Sequence, residues 1–135
     1  MNRKIKFFMS LTAILIIFAL LISMGGCSKI EANNEMSENM LKALNTENYS
    51  DFSKDFDDAL KNELDEENFA VLTQQVKGAI GNYKDGTLSL KSYSYNNGVS
   101  TVIYIADFEN KSAQQVRIIF KKIDDVDKII GLWFD

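Results

Sequence analysis

Few side chains in this sequence have the types and placement that chemistry needs. Cys27 is the only cysteine in 135 residues, and a thiolate is the most nucleophilic side-chain group available to a protein. It stands after a run, Phe7 to Met24, that is apolar except at Ser10, Thr12 and Ser23, and Gly25 and Gly26 immediately precede it. The two glycines suit cleavage of a leader at that point, because a signal peptidase takes the backbone into a narrow cleft. Histidine is absent, which removes the commonest general base and the commonest metal ligand together. Serine and threonine nucleophiles therefore lack their usual partner, and no lysine-activated motif stands in for it.

Asp55, Asp57, Asp58, Glu63, Asp65, Glu66 and Glu67 form an acidic region. They lack the alternating oxygen ligands and the turn glycine of a calcium loop, as do Asp124, Asp125 and Asp127. Both groups read as solvated faces and turns, with no metal and no cofactor expected. Tyr83, Tyr93, Tyr95, Tyr104 and Trp133 are candidates to line a pocket, because aromatics with polar tips often do. A pocket would be lined by Tyr83, Tyr104, Phe108 and Trp133, but ordinary core and sheet packing is the favoured reading of these aromatics. Asp107 offers the alternative of a small enzyme working through carboxylates. Burial keeps a carboxyl protonated to higher pH and fits it for proton transfer, provided the side chain faces an interior cavity.

The elements that must carry these residues begin with a leader. Arg3, Lys4 and Lys6 precede the apolar run, and no acidic residue occurs before Glu31. A basic start, an apolar middle and small residues before a cut site describe a secretory signal. Met24, Gly25, Gly26 and Cys27 resemble the lipobox of bacterial lipoprotein signals. The resemblance implies diacylglyceryl transfer to Cys27, an acyl anchor of the palmitate kind, cleavage before Cys27, and a domain held on a cell membrane facing outside the cytoplasm. An uncleaved transmembrane helix is the competing reading, since about 20 apolar residues span a bilayer. The resulting division is a signal peptide over 1–26, a polar tether over 27–35 and one domain over 36–135. A lone cysteine also leaves that domain without an internal disulfide.

The net charge of −4, less the three leader cations, leaves the remainder near −7. Phosphate contacts need Lys and Arg, so nucleic acid is not an expected partner. Proline is absent, so there is no rigid Pro-rich stalk.

Met36, Met40, Ala43 and Leu44 fall at helical spacing, which predicts a first helix. Phe52, Phe56, Ala59, Leu60 and Leu64 continue at three- and four-residue steps and predict a second, capped by Ser50 or Asp51. Asp65 opens a third, with Glu66 and Glu67 in its first turn. Gly81 reads as its terminator, and Gly78 as a site of close backbone approach. After Asp85-Gly86 the period becomes alternating. Thr87 to Tyr95 is the first predicted strand, with Asn96-Asn97-Gly98 as its turn. Leu88 and Leu90 share one face while Tyr93 and Tyr95 share the other, which a β-bulge near Lys91-Ser92 reconciles. Val99 to Phe108 carries apolar residues on both faces and reads as a central, covered strand. Glu109 to Gln114 reads as a turn, Val116 to Lys121 as the third strand, Asp124 to Asp127 as a turn and Lys128 to Phe134 as the last strand. In that strand Ile130, Leu132 and Phe134 are expected on one face, with Ile129 and Trp133 on the other. Helices first and an antiparallel four-stranded meander afterwards make the chain α+β.

Ile80-Gly81-Asn82-Tyr83 and Ile130-Gly131-Leu132-Trp133-Phe134, in that helix-then-meander context, resemble the cystatin-like (nuclear-transport-factor-2-like) domains of a bacterial and archaeal lipoprotein group of unknown function. The resemblance covers roughly Met36 to Phe134. It implies a curved sheet around helices, a cone with an internal cavity, and no catalytic residues to transfer. The expected role is non-enzymatic. The domain would bind a small apolar ligand in the cone or a protein against the sheet, or pair with a second copy as a homodimer.

Overall fold

Phe52 and Phe56 stand one helical turn apart in sequence, yet the chain leaves the helix between them. In the computed structural model, which describes residues 29–135, helix α1 spans 29–46, α2 is Tyr49–Phe52, α3 is Asp58–Glu63 and α4 is Glu66–Ile80. The strands follow as β1 Ser89–Asn96, β2 Val99–Phe108, β3 Lys111–Ile123 and β4 Val126–Phe134. They form one antiparallel sheet in the order β1-β2-β3-β4. The chain is therefore α+β, helices first and a meander second, and Asn33–Asp135 form one compact unit. The lipobox and Cys27 lie outside the described residues.

The single second helix expected from spacing is two short ones. Asn48, rather than Ser50 or Asp51, caps α2 by accepting from the Asp51 amide. The break between α2 and α3 has a tertiary cause. The Ile129 amide donates to the Asp55 carbonyl at 2.7 Å, and the Asp57 amide donates to the Ile129 carbonyl at 3.1 Å. Three residues are thus taken out of helix and laid parallel along β4. Asp57 then restarts the helix by capping Leu60 at 2.8 Å. Likewise, α1 begins well before Met36. Residues read as a polar tether are helical from 29 onward, because Asn33 and Ser37 continue the inward face of Met40, Leu41 and Leu44 and are buried with them.

Helix α4 follows its sequence signals. Asp65 caps it through the Asn68 amide, Glu66 and Glu67 occupy its first turn, and Gly81 ends it at φ +82°. Gly78 does not admit a neighbouring backbone: nothing lies within 4 Å of where its Cβ would stand.

In the sheet, the bulge falls between Leu90 and Ser92 as the phase of β1 requires. Asn97 and Gly98 join β1 to β2 with φ of 49° and 81°, and Asp124 and Asp125 join β3 to β4 at 50° and 62°. Both are two-residue loops in the left-handed region, which matches the twist of a hairpin. The expected turn over Glu109 to Gln114 shrinks to Glu109-Asn110, because β3 starts at Lys111. The register also shifts between β2 and β3 at Ala106 and Phe108, and a third shift, at the level of Ile119 and Phe120, leaves Ile130 without a partner. It corrects the expected faces of β4. Ile129 pairs with buried Phe120 and lies inward with Leu132 and Phe134, while Ile130 is the displaced residue.

The core lies between the helices and the inner face, where Val102, Tyr104, Ala106 and Phe108 of β2 meet Val116, Ile118 and Phe120 of β3. Phe52, Phe56, Phe69 and Leu41 fill the space opposite. Each side chain of this size contributes about 1.5–3 kcal/mol on burial. β2 is central, but its other face is not fully covered: Thr101, Ile103, Ile105 and Asp107 stay half-buried.

Candidate ligand cleft

Helix α4 carries a wider apolar stripe than the sheet covers. Phe69, Thr73 and Val76 are buried, while Leu72, Ala79 and Ile80 continue toward the C-terminal half of β4. Between them lies an open cleft of about 550 Å³. Leu64, Leu72, Val76, Ala79, Ile80, Leu132 and Phe134 give it apolar walls, with Gln75, Lys111, Gln114, Trp133 and Asp135 at the remaining positions. Its volume falls within the range of small-ligand sites, and its few polar groups among apolar ones are the usual composition.

Of the four residues expected to line a pocket, only Trp133 reaches this cleft. Tyr83, Tyr104 and Phe108 are buried and fix the core instead. The Phe108 ring packs between those of Tyr83 and Phe134. The Tyr104 hydroxyl donates to Asn34 Oδ1 at 2.9 Å, and burial pushes its pKa up to about 12. The Tyr83 hydroxyl donates to Glu38 Oε2 at 2.5 Å and accepts from the Leu88 amide. Burial first, and Glu38 second, hold that phenol protonated well above its ordinary range. Tyr83, Tyr104 and Phe108 are thus core residues among the described residues, and the open cleft lies elsewhere, between α4 and β4.

The remaining candidates have structural roles. Asp107 lies on the half-buried outer face, where its carboxylate accepts from the Ala113 amide at 2.8 Å. It supports the start of β3 and does not face the interior. Asp57 and Asp65 are helix caps, and Asp124-Asp125 is a hairpin turn. Among the described residues no group of three acidic or cysteine side chains is placed to hold a metal ion, and no helix is long and apolar enough to cross a membrane. Tyr93 meets the Ser100 hydroxyl at 3.0 Å, and Tyr95 is largely exposed on β1.

Two features of the site region were not read from the sequence. Asn45 pairs with both backbone groups of Tyr83, accepting from its amide at 2.8 Å and donating to its carbonyl at 2.7 Å. It ties α1 to the chain just beyond α4. Arg117 lies 5.0 Å from the centroid of the Trp133 ring and donates to Asp135 at 3.1 Å. Arg117 and Trp133 are directly opposite in register, a relation that alternation alone does not supply without knowing the bulge.

This architecture, a helical layer on a four-stranded meander with a cleft between the last helix and the last strand, defines a small α+β domain without a recognisable catalytic constellation among the described residues. Over residues 37–132 the chain matches the family described as protein of unknown function (DUF3887), and it belongs to that family. No curated protein matches it.

Proposed function

We propose that this chain is a non-enzymatic binding module of cystatin-like kind, lipid-anchored through Cys27 at the outward side of a cell membrane, with the α4–β4 cleft as its ligand seat. The cleft is the observation that carries the reading. It is open, apolar on both walls and about 550 Å³ in volume. The Asp135 carboxylate at its rim is engaged by Arg117, so its polar groups suit orientation of a ligand more than proton transfer. The sequence Met24-Gly25-Gly26-Cys27 supports the anchor, and a lipid on Cys27 would concentrate the module at the surface it serves.

Two measurements test it. The mass of the native protein, compared with Cys27→Ala, should show an acylated product starting at Cys27 and an unacylated variant released from membranes. A full-length product without added mass would remove the anchor. Filling the cleft with Ala79→Trp should abolish saturable binding of a small apolar probe such as n-hexanol. Turnover of any bound metabolite would overturn the non-enzymatic part.

A further inference from the structure

We propose that the cleft takes its ligand as a β-strand: an extended peptide segment that hydrogen-bonds along the free edge of β4 at Leu132 and Phe134 and buries alternate apolar side chains against α4. This rests on the cleft being the ligand seat.

The register shows which backbone groups are free. The Asp135 amide donates to the Gln115 carbonyl at 3.0 Å, and the same register sets Trp133 opposite Arg117 and Gly131 opposite Ile119. In an antiparallel ladder, residues alternate between those bonded to the neighbouring strand and those pointing away. Gly131, Trp133 and Asp135 therefore bond to β3, and Leu132 and Phe134 turn their N–H and C=O groups outward. β4 is the last strand of the sheet, and among the described residues no loop or helix bonds to those groups.

The same edge already accepts a backbone bridge. Ile129 also points outward, and its amide and carbonyl bond to Asp55 and Asp57. The bulge at Ile130 preserves the direction, so Ile129, Leu132 and Phe134 form one continuous row. The chain's own extended segment covers the first of them and then turns away into α3. The open continuation lies beside α4, and a groove between an edge strand and a helix is a recurring way to bind extended peptides.

The two edges of the sheet also differ in protection. Edge strands are normally blunted by charge, proline or a bulge against unwanted pairing. Both edge strands carry a bulge, but β1 adds the charge of Lys91 and the exposed polar side chains of Ser89, Ser92 and Ser94. Ile130 to Phe134 carries no charge and no proline. The proposed occupant is an isolated extended segment, as the chain's own residues 55–57 are at Ile129.

The test uses the full chain in nanodiscs, with Trp133, the only tryptophan, as the fluorescent reporter. The probe is an acetylated, amidated peptide of alternating valine and threonine, compared with its alternately N-methylated analogue and with n-hexanol. Saturable peptide binding that weakens about tenfold or more on methylation is expected, since N-methylation removes the peptide's backbone donors. Leu132→Pro removes an outward N–H without breaking the β3 ladder, and Leu132→Ala removes the same side chain but keeps the donor. The peptide should bind Leu132→Pro about tenfold more weakly than Leu132→Ala, while hexanol distinguishes them little. Equal peptide affinity for the two variants, or for the methylated and parent peptides, would overturn strand addition. If Leu132→Pro does not fold, the methylated peptide against the unaltered chain decides. Binding of hexanol without peptide removes strand addition and leaves the ligand cleft standing. Binding of neither removes both.

Discussion

The indole of Trp133 lies over Gly131: a Cβ built on that glycine would stand 2.3 Å from the ring's Cη2 and 2.4 Å from Cζ3. The two residues share a side of β4, and the missing side chain of one makes room for the ring of the other. Arg117 approaches the same ring from β3. Gly131→Ala should therefore displace the ring, shift Trp133 emission and lower stability by about 1–3 kcal/mol, the usual cost of overpacking. Tryptophan fluorescence with urea unfolding checks both. An unchanged spectrum would mean that the ring does not rest there.

Gly78 within α4 and Gly81 at its end should respond with opposite signs. Gly78 is helical with open space where a Cβ would stand, so Gly78→Ala should stabilise by about 0.5–1 kcal/mol through helix propensity. Gly81 has φ +82°, and its Cβ would meet Glu109 Cβ at 2.8 Å. Gly81→Ala should cost about 2–4 kcal/mol from left-handed strain and steric conflict combined. Chemical denaturation of the two variants in parallel tests the contrast.

Asn45→Ala removes partners from both backbone groups of Tyr83, a residue only 3% exposed. Buried groups left without partners cost about 1–3 kcal/mol each, so a loss of about 2–5 kcal/mol is expected. Asn45→Asp should be intermediate, because it keeps the acceptor and loses the donor. Urea midpoints at fixed slope measure the series.

Alkali should destabilise the fold through Tyr83 and Tyr104. Both phenols have pKa values raised above the ordinary 10, Tyr104 to about 12. Below the unfolded value both states keep their protons and stability is level. Above it the unfolded chain ionises first, so stability falls as pH rises toward the folded values, by about 1.4 kcal/mol per pH unit for each tyrosine. Tyr104→Phe should lower stability at neutral pH and flatten the fall between about pH 10 and 12. An equal slope in the variant would show that Tyr104 is not held protonated.

How far the sequence foretells this arrangement depends on where each signal originates. Helix α4 was legible from end to end because its cap, first-turn acids and terminating glycine are local. The β1 bulge was legible because Leu88 and Leu90 are out of phase with Tyr93 and Tyr95. The break between α2 and α3 was not, since Phe52, Phe56 and Leu60 keep helical spacing and only the remote Ile129 draws residues 55–57 out of it. The bulge at Ile130 was hidden for a related reason: apolar residues on both faces of β4 leave the phase unmarked. Of the cleft, Leu72, Val76, Ala79 and Ile80 keep helical spacing in the sequence, but only the positions of α4 and β4 in space show which part the core leaves open. The aromatic set was ambiguous because size and polar tips are equally suited to a pocket wall and to a core; Tyr83, Tyr104 and Phe108 are core, and Trp133 lines the cleft.

The meander has a consequence for the order of folding. Each strand pairs with the next in sequence, so the hairpins close short loops and can zip up early. Helix α1 is different: Asn34 waits for Tyr104, 70 residues later, and Asn45 waits for Tyr83. A chain made from its amino end can thus join Asn45 to Tyr83 before β2 exists, but Asn34 has no Tyr104 until the second strand has been synthesised. A nascent chain halted before β2 can therefore fasten α1 by its carboxyl end only, and seating of the helix's amino end is the late step.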